Sequence, residues 1–258
     1  MSALVETSFT TVCGRRLEYQ RLSGARRGAP TIVFLHEGLG SVSMWRDFPQ
    51  RVAESTGCPV IVYSRYGYGQ SEVPKAPFAV RYMHDEGLYA LPELLERLGV
   101  EQPVLFGHSD GGSISIIHAG AHDRVKALVL EAPHVSVEDI GVASIAAAKL
   151  AFETTDLPKK LARHHADAEK SFRRWNDIWL HPDFRRWNIE EYLPRIECPV
   201  LAIQGRNDEY GTMAQIETIA RRVKGPVELL KLEHCGHSPH RDQPAAVLEA
   251  VWEFVAAL

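Results

Sequence analysis

The stretch Pro103-Val104-Leu105-Phe106-Gly107-His108-Ser109-Asp110-Gly111-Gly112 decides the fold. An apolar strand runs straight into Gly-x-Ser-x-Gly, and a helix-compatible segment, Ser113 to Gly120, follows. The bare pattern arises by chance in roughly one chain in ten of this length, so alone it says little. Its setting between strand and helix is what a nucleophile elbow requires. The turn is so sharp that only glycine at Gly107 and Gly111 leaves room for the two backbones to approach. The bland alternative is a Gly/Ser-rich strand–helix loop that cradles a phosphate. Ser109 is the candidate nucleophile.

A serine hydroxyl is a poor nucleophile at neutral pH, so it needs a base, and the base needs an orienting acid. Both occur downstream. Pro199-Val200-Leu201-Ala202-Ile203-Gln204-Gly205 has the apolar run of a buried strand and ends in Arg206-Asn207-Asp208-Glu209. Val227 to Leu232 is the next strand and leads into Glu233-His234-Cys235-Gly236-His237-Ser238. Ser109, Asp208 and His237 each follow a strand. In a parallel sheet all three lie at its carboxyl edge. Glu131 also ends a strand and competes for the role of acid; His234 competes for that of base.

The chain resembles the α/β-hydrolase superfamily over nearly its whole length. The resemblance rests on Phe34-Leu35-His36-Glu37-Gly38-Leu39-Gly40, Arg65-Tyr66-Gly67-Tyr68-Gly69-Gln70-Ser71, the Gly107–Gly112 elbow, the Asp208 loop and Gly236-His237, in the family's order. It departs in three places. His-Glu-Gly-Leu-Gly stands where members more often have His-Gly and one further residue, or His-Gly-Gly-Pro-Gly. Ser64 precedes Arg65 where an Asp is usual. Asp110 follows the serine where Met or another uncharged residue is common.

The resemblance implies an α/β-hydrolase fold, a mostly parallel twisted sheet covered by helices on both faces, with a helical cap. It implies Ser109 as nucleophile, His237 as base and Asp208 as orienting acid, with no metal and no cofactor. One oxyanion donor is the N–H of Asp110, and the other is that of Gly38, with Leu39 in reserve. His36 then braces the oxyanion loop, and His108 points away from the cleft. The carboxylates of Asp110 and Glu37 can each reach an arginine or the pocket.

Short apolar runs of the parallel-strand type occur at 31–35, 59–64, 104–106, 125–130, 200–204 and 227–232. Helical stretches at 45–55, 82–98, 113–121, 212–222 and 243–257 lie between them, and residues 9–22 read as a hairpin turning at Gly14-Arg15. Strand then helix, repeated, means a doubly covered parallel sheet. From about 134 to 195 no good strand occurs; helices are expected at 144–153, 159–165, 168–180 and 189–193, divided by Pro158 and Pro182. The organisation is therefore a core of 1–133 and 196–258 and a helical cap of 134–195. Glu37, Trp175 and Trp179 are candidate pocket walls, as is Trp187. Trp175 and Trp179 also share one helix face and can simply glue the cap to the body. The basic residues of the cap, Lys159 to Arg186, can draw in an anionic substrate or form a solvated face.

Composition sets the outer limits. The chain has 258 residues, 45% hydrophobic and 24% charged, which suits one large domain. A formal charge of -4 gives no footprint for nucleic acid. No apolar run approaches the roughly 18 residues of a membrane span, and the N-terminus lacks a secretory pattern. Cys13, Cys58, Cys198 and Cys235 have no metal or redox spacing. A reduced, cytoplasmic protein is expected. Apolar residues on the last helix leave a homodimer open. The expected activity is hydrolysis of a small-to-medium carboxylic ester, lactone or thioester as small-molecule acyl substrate. The alternatives are a C–C bond hydrolase of aromatic meta-cleavage products and a receptor that retains the triad.

Overall fold

A computed structural model describes residues 6–76 and 78–258. Residues 1–5, part of the stretch read for a secretory signal, lie outside them. Eight strands form one sheet: β1 (Thr7–Val12), β2 (Arg15–Leu22), β3 (Ile32–Leu35), β4 (Val60–Tyr63), β5 (Val104–His108), β6 (Ala127–Glu131), β7 (Val200–Gly205) and β8 (Val227–Leu232). Their spatial order is β1-β2-β4-β3-β5-β6-β7-β8. The pairs β1/β2 and β2/β4 are antiparallel, and all others are parallel. This is the doubly covered, mostly parallel sheet that the sequence pattern implied.

The central strands β3 to β7 are buried at every position. A strand covered on both faces reads as a continuous apolar run, because both sets of alternating side chains meet a core. Val33, Leu35, Leu105 and Leu130 enter one core, and Ile32, Phe34, Phe106 and Val129 enter the other. Strand order reverses at β3/β5. Loops leaving those neighbours at their carboxyl ends part there and leave the crevice in which α/β sheets bind ligands.

Helices α1 (Phe48–Thr56), α2 (Tyr82–Asp85), α3 (Leu91–Arg97) and α4 (Asp110–Ala121) follow in chain order. The helix expected from Trp45 begins later. Residues Val42–Trp45 form a 3-10 turn, Arg46 takes φ 55°, and Pro49 opens α1, where its missing N–H costs nothing. The continuous helix expected at 82–98 is interrupted by a π-turn at Glu86–Ala90. Pro92 follows directly, and it can neither donate to Leu88 nor pack against that carbonyl.

Between β6 and β7 lie α5 (Asp139–Thr154), α6 (Leu157–Leu161) and α7 (Ala168–Trp179), with 3-10 turns at Pro182–Arg186 and Glu190–Arg195. Pro158 starts α6 rather than ending a helix. The helix expected at 189–193 is one of the 3-10 turns, with Pro194 inside it. Three further helices, α8 (Ala214–Arg222), α9 (Pro239–Asp242) and α10 (Pro244–Ala256), complete the described chain. No helix among the described residues is long and apolar enough to cross a membrane. All four cysteines are free thiols.

Candidate active site

Ser109 sits between β5 and α4 at φ 53°, ψ -117°. Such a backbone costs a non-glycine residue about 1–3 kcal/mol and persists only where its surroundings hold it. Its N–H donates to the Glu131 carbonyl at 2.8 Å. A Cβ at Gly107 would meet the Gly111 carbonyl oxygen at 2.4 Å, and one at Gly111 would meet that of Leu35 at 2.0 Å. The two glycines are therefore obligatory for the crossing of strand and helix.

His237, in the loop after β8, places Nε2 2.9 Å from Ser109 Oγ. Its Nδ1 lies 2.9 Å from both carboxylate oxygens of Asp208. Asp208, in the turn after β7, also accepts from Tyr210 N–H at 2.8 Å, Gly211 N–H at 3.2 Å and Gln204 Nε2 at 2.6 Å. Burial pushes the Asp208 pKa up, but His237 and the Tyr210 amide outweigh it and hold the carboxyl below its usual range. An ionised Asp208 accepts from Nδ1–H, which leaves the Nε2 lone pair facing the serine hydroxyl.

Glu131 is not in this line. Its carboxylate accepts from the His240 backbone N–H at 2.5 Å and lies 2.6 Å from His240 Nδ1. His234 is exposed, and the histidine hydrogen-bonded to Ser109 and Asp208 is His237. His108 donates from Nε2 to the His237 carbonyl at 2.7 Å and so pins the histidine loop to β5. His108, Glu131 and His240 form a buried trio whose ligand-type atoms lie within 4.8 Å of one another. Two ligand atoms on one zinc ion stand roughly 3.3 Å apart, given bonds of about 2 Å. The Glu131–His240 contact, at 2.6 Å, is instead a hydrogen bond, and the trio braces the loop that carries His237.

The loop after β3 is held by two histidines whose tautomers the backbone dictates. His36 Nε2 accepts from Arg65 N–H at 3.0 Å, so Nδ1 carries the proton and donates to the Glu37 carbonyl at 2.6 Å. Arg65 adds a second donor to that carbonyl at 2.8 Å. His165 Nδ1 accepts from Gly69 N–H at 3.0 Å, so its Nε2–H donates to the Leu39 carbonyl at 2.9 Å. Within a trans peptide the C=O and N–H point in opposite directions. With the Glu37 carbonyl turned to His36 and Arg65, Gly38 N–H faces the other way. Gly38 lines the same cavity as Ser109. Gly38 and Leu39 N–H have no backbone acceptor among the described residues.

The Asp110 carboxylate, fully buried, accepts from Tyr82 Oη at 2.5 Å and lies 3.6 Å from Arg65. Trp179 Nε1 donates in turn to Tyr82 Oη at 3.2 Å. Of the two uses open to Asp110 in the sequence, the structure shows the ion pair. Glu37 lies 3.5 Å from both His108 Nδ1 and Arg241. Burial raises its pKa, but these partners outweigh that and hold it well below the usual carboxylate range.

The cavity over Ser109 is about 250 Å³. Glu37, Trp175, Trp179, Ile145 and Tyr210 line it together with His134 and His237. Trp187 does not; it stacks on Phe184, centroids 5.4 Å apart. No Lys or Arg lines the cavity among the described residues. Lys160, Arg173 and Arg185 pair instead with Asp156, Glu169 and Asp139, and Arg174 lies over the Phe78 ring at 4.2 Å. None of the basic residues from Lys159 to Arg186 lines the cavity over Ser109. A larger groove of about 480 Å³, between Pro92, His118 and Arg124, holds none of the groups around Ser109.

A model of the alpha/beta hydrolase family matches residues 32–250. A proline iminopeptidase of Lactobacillus delbrueckii subsp. bulgaricus is 30% identical over 122 residues, 46% of this chain. The match spans only 41% of that relative's length. An sn-1-specific diacylglycerol lipase of Mus musculus is 27% identical over 272 residues, covering 93% of this chain and 85% of the lipase. The enol-lactonase from Burkholderia xenovorans LB400 superposes with a TM-score of 0.74 at 23% identity, covering 96% of this chain and 100% of that one.

Proposed function

Because this chain belongs to the alpha/beta hydrolase family, we propose that it is a serine hydrolase of small-to-medium carboxylic esters, lactones included, acting through an acyl-enzyme on Ser109. The observation that carries this reading is the hydrogen-bonded line from Ser109 Oγ through His237 to Asp208, with 2.9 Å at each step. His237 Nε2 takes the hydroxyl proton as Oγ attacks the acyl carbon. Asp208 keeps the imidazole in the required tautomer and stabilises the imidazolium. The negative charge on the carbonyl oxygen falls to the N–H groups of Asp110 and Gly38, each worth about 2.7–4 kcal/mol. His237 then gives its proton to the leaving alcohol, and water repeats the sequence on the acyl-enzyme.

The cavity supports the substrate size. At 250 Å³ it equals roughly eight waters at about 30 Å³ each, room for a short acyl chain and a compact alcohol. The carboxylates of Glu37 and Glu209 in its wall, with no Lys or Arg among the described lining residues, favour uncharged substrates over carboxylates. Residues 134–195 act in this reading as a cap, since Ile145, Trp175 and Trp179 roof the serine.

The test is turnover of p-nitrophenyl esters from acetate to octanoate, plus benzoate, by the wild type and Ser109→Ala. Turnover that falls by several orders of magnitude in the variant supports the reading. If no ester turns over while a fluorophosphonate still labels Ser109, the nucleophile is live and the C–C hydrolase or receptor reading replaces it.

A further inference from the structure

Among the described polar side chains in the cavity that the proposed catalytic line does not use, His134 is the one with no protein partner on its ring. His134 lies in the loop after β6 and lines the cavity with Ser109 and His237, yet it is only 3% exposed. Its position is fixed by its own backbone: the carbonyl accepts from Ser113 Oγ at 2.7 Å, and the N–H donates to the same oxygen at 3.2 Å. The ring stands edge-on to Trp179 with centroids 5.1 Å apart, and its centroid is 5.7 Å from that of His237. Among the described residues its only hydrogen bonds are those of the backbone, so both ring nitrogens are without a protein partner. Burial, and then the charge of His237, push its pKa down to about 3. The ring is therefore neutral, with one N–H to give and one lone pair to offer.

A polar edge that faces the cavity takes its hydrogen-bond partner from whatever occupies the cavity. Leu39, Ile145, Trp175, Trp179 and Tyr210 give the wall its aromatic and aliphatic part, and Glu37, Glu209, His108 and Ser238 its polar part. The charges nearby decide what the partner is. An anion would face the carboxylates of Glu37 and Glu209, which line the same cavity. A cation at His134 would sit close to the imidazolium that forms on His237 during the reaction. A hydroxyl is uncharged and both donates and accepts, as the neutral ring does. We propose that His134 is a substrate-contacting specificity residue, and that the preferred substrates carry an uncharged hydroxyl within a few atoms of the scissile carbonyl. This rests on the ester-hydrolase reading of the site.

The experiment uses matched pairs in which a hydroxyl replaces a methyl: α- and β-hydroxybutyrate against α- and β-methylbutyrate esters, and ethylene glycol monobutyrate against propyl butyrate, followed by pH-stat. The acyl-side pairs, built as fluorophosphonates, report through the rate of Ser109 labelling, which needs no turnover. In the wild type at least one hydroxyl member is expected to exceed its methyl partner by about tenfold or more in kcat/KM or labelling rate. His134→Phe should erase that ratio, whatever its effect on the methyl compounds' own rates. His134→Gln, which retains a donor and an acceptor, should restore part of it and guards against a folding defect in the Phe variant. A wild type that prefers methyl in every pair, or a ratio unchanged in His134→Phe, overturns the proposal. Failure of all ester turnover, with a His134-dependent labelling ratio intact, would sink the ester-hydrolase reading and spare this one.

Discussion

Replacing Gly38 by alanine should disable the enzyme through a contact that can be measured in advance. A Cβ at Gly38 would lie 2.1 Å from Trp175 Nε1 and 2.3 Å from its Cδ1. Optimal separations of such atoms begin near 3.5 Å, so loop and indole must part by about 1.4 Å. Trp175 is 8% exposed in α7 and packs against Phe172 with centroids 5.9 Å apart, so the indole has little room to yield. The loop yields in part, and Gly38 N–H moves with it. Overpacking of this kind costs about 1–3 kcal/mol of stability. A displacement of about 1 Å at a catalytic group costs on the order of 100-fold in rate. We expect kcat for a p-nitrophenyl ester to fall about that far in Gly38→Ala, with KM nearly unchanged, because an oxyanion donor acts in the transition state. Trp175→Leu should rescue part of the loss in the double variant, a coupling that neither single change predicts. A Gly38→Ala enzyme with kcat within about threefold of wild type would refute the reasoning, as would a double variant no faster than Gly38→Ala.

The remaining predictions use other parts of the site. Asp208→Asn replaces the charged, acceptor-only carboxylate that sets the His237 tautomer by an amide that can also donate, and kcat should drop about 10⁴-fold; steady-state kinetics on a melting-checked variant decide it. Asp110→Asn leaves the buried Arg65 without its counter-charge, which should cost about 3–5 kcal/mol in urea unfolding; a loss below about 1 kcal/mol would mean the pair at 3.6 Å contributes little. His165→Phe cuts both bonds from Leu39 and Gly69, so a boronate transition-state analogue should bind about tenfold more weakly while substrate KM holds; parallel losses of both would make its role merely structural. Burial lowers the pKa of His118 and His165 to about 4 and of His134 to about 3, and pushes that of His36 well below its usual value. The unfolded chain then binds protons first, so their contribution is full above about pH 6.5 and is lost as pH falls toward the folded values. The unfolding free energy from urea titrations should decline between about pH 7 and pH 5, by up to about 1.4 kcal/mol per pH unit for each histidine, and less steeply in His118→Gln. A flat profile would contradict it.

Much of this architecture is written locally. The buried runs of β3 to β7 are apolar throughout because each strand meets a core on both faces, and that pattern is legible in any single segment. Gly107 and Gly111 are dictated by backbone crossing, which needs only the chain on either side of Ser109 and the neighbouring strand. Helix boundaries were less legible, since Pro92 and Pro158 act through the turns around them: one widens a helix, the other opens one.

Ser109, Asp208 and His237 could be named from the sequence because each ends a strand, and parallel strands deliver their ends to one edge whatever lies between. The strand pattern by itself left Glu131 beside Asp208 as the acid for His237, and only the resemblance favoured Asp208. Glu131 and Asp208 both end strands, and only the packed loops turn His240 toward the first and His237 toward the second. The same holds for Tyr82, Arg65, His134 and His165, which meet the site across separations such as the 97 residues between Tyr82 and Trp179. No periodicity or motif records contacts of that length. Local chemistry determined the sheet, the elbow and the strand-end placement of Ser109, Asp208 and His237, because strand, turn and glycine sterics act over a few residues. The tertiary structure alone decided the pairing of acids with histidines, the neutrality of His134 and the charge of the cavity wall. Those depend on which distant groups share a low-dielectric space.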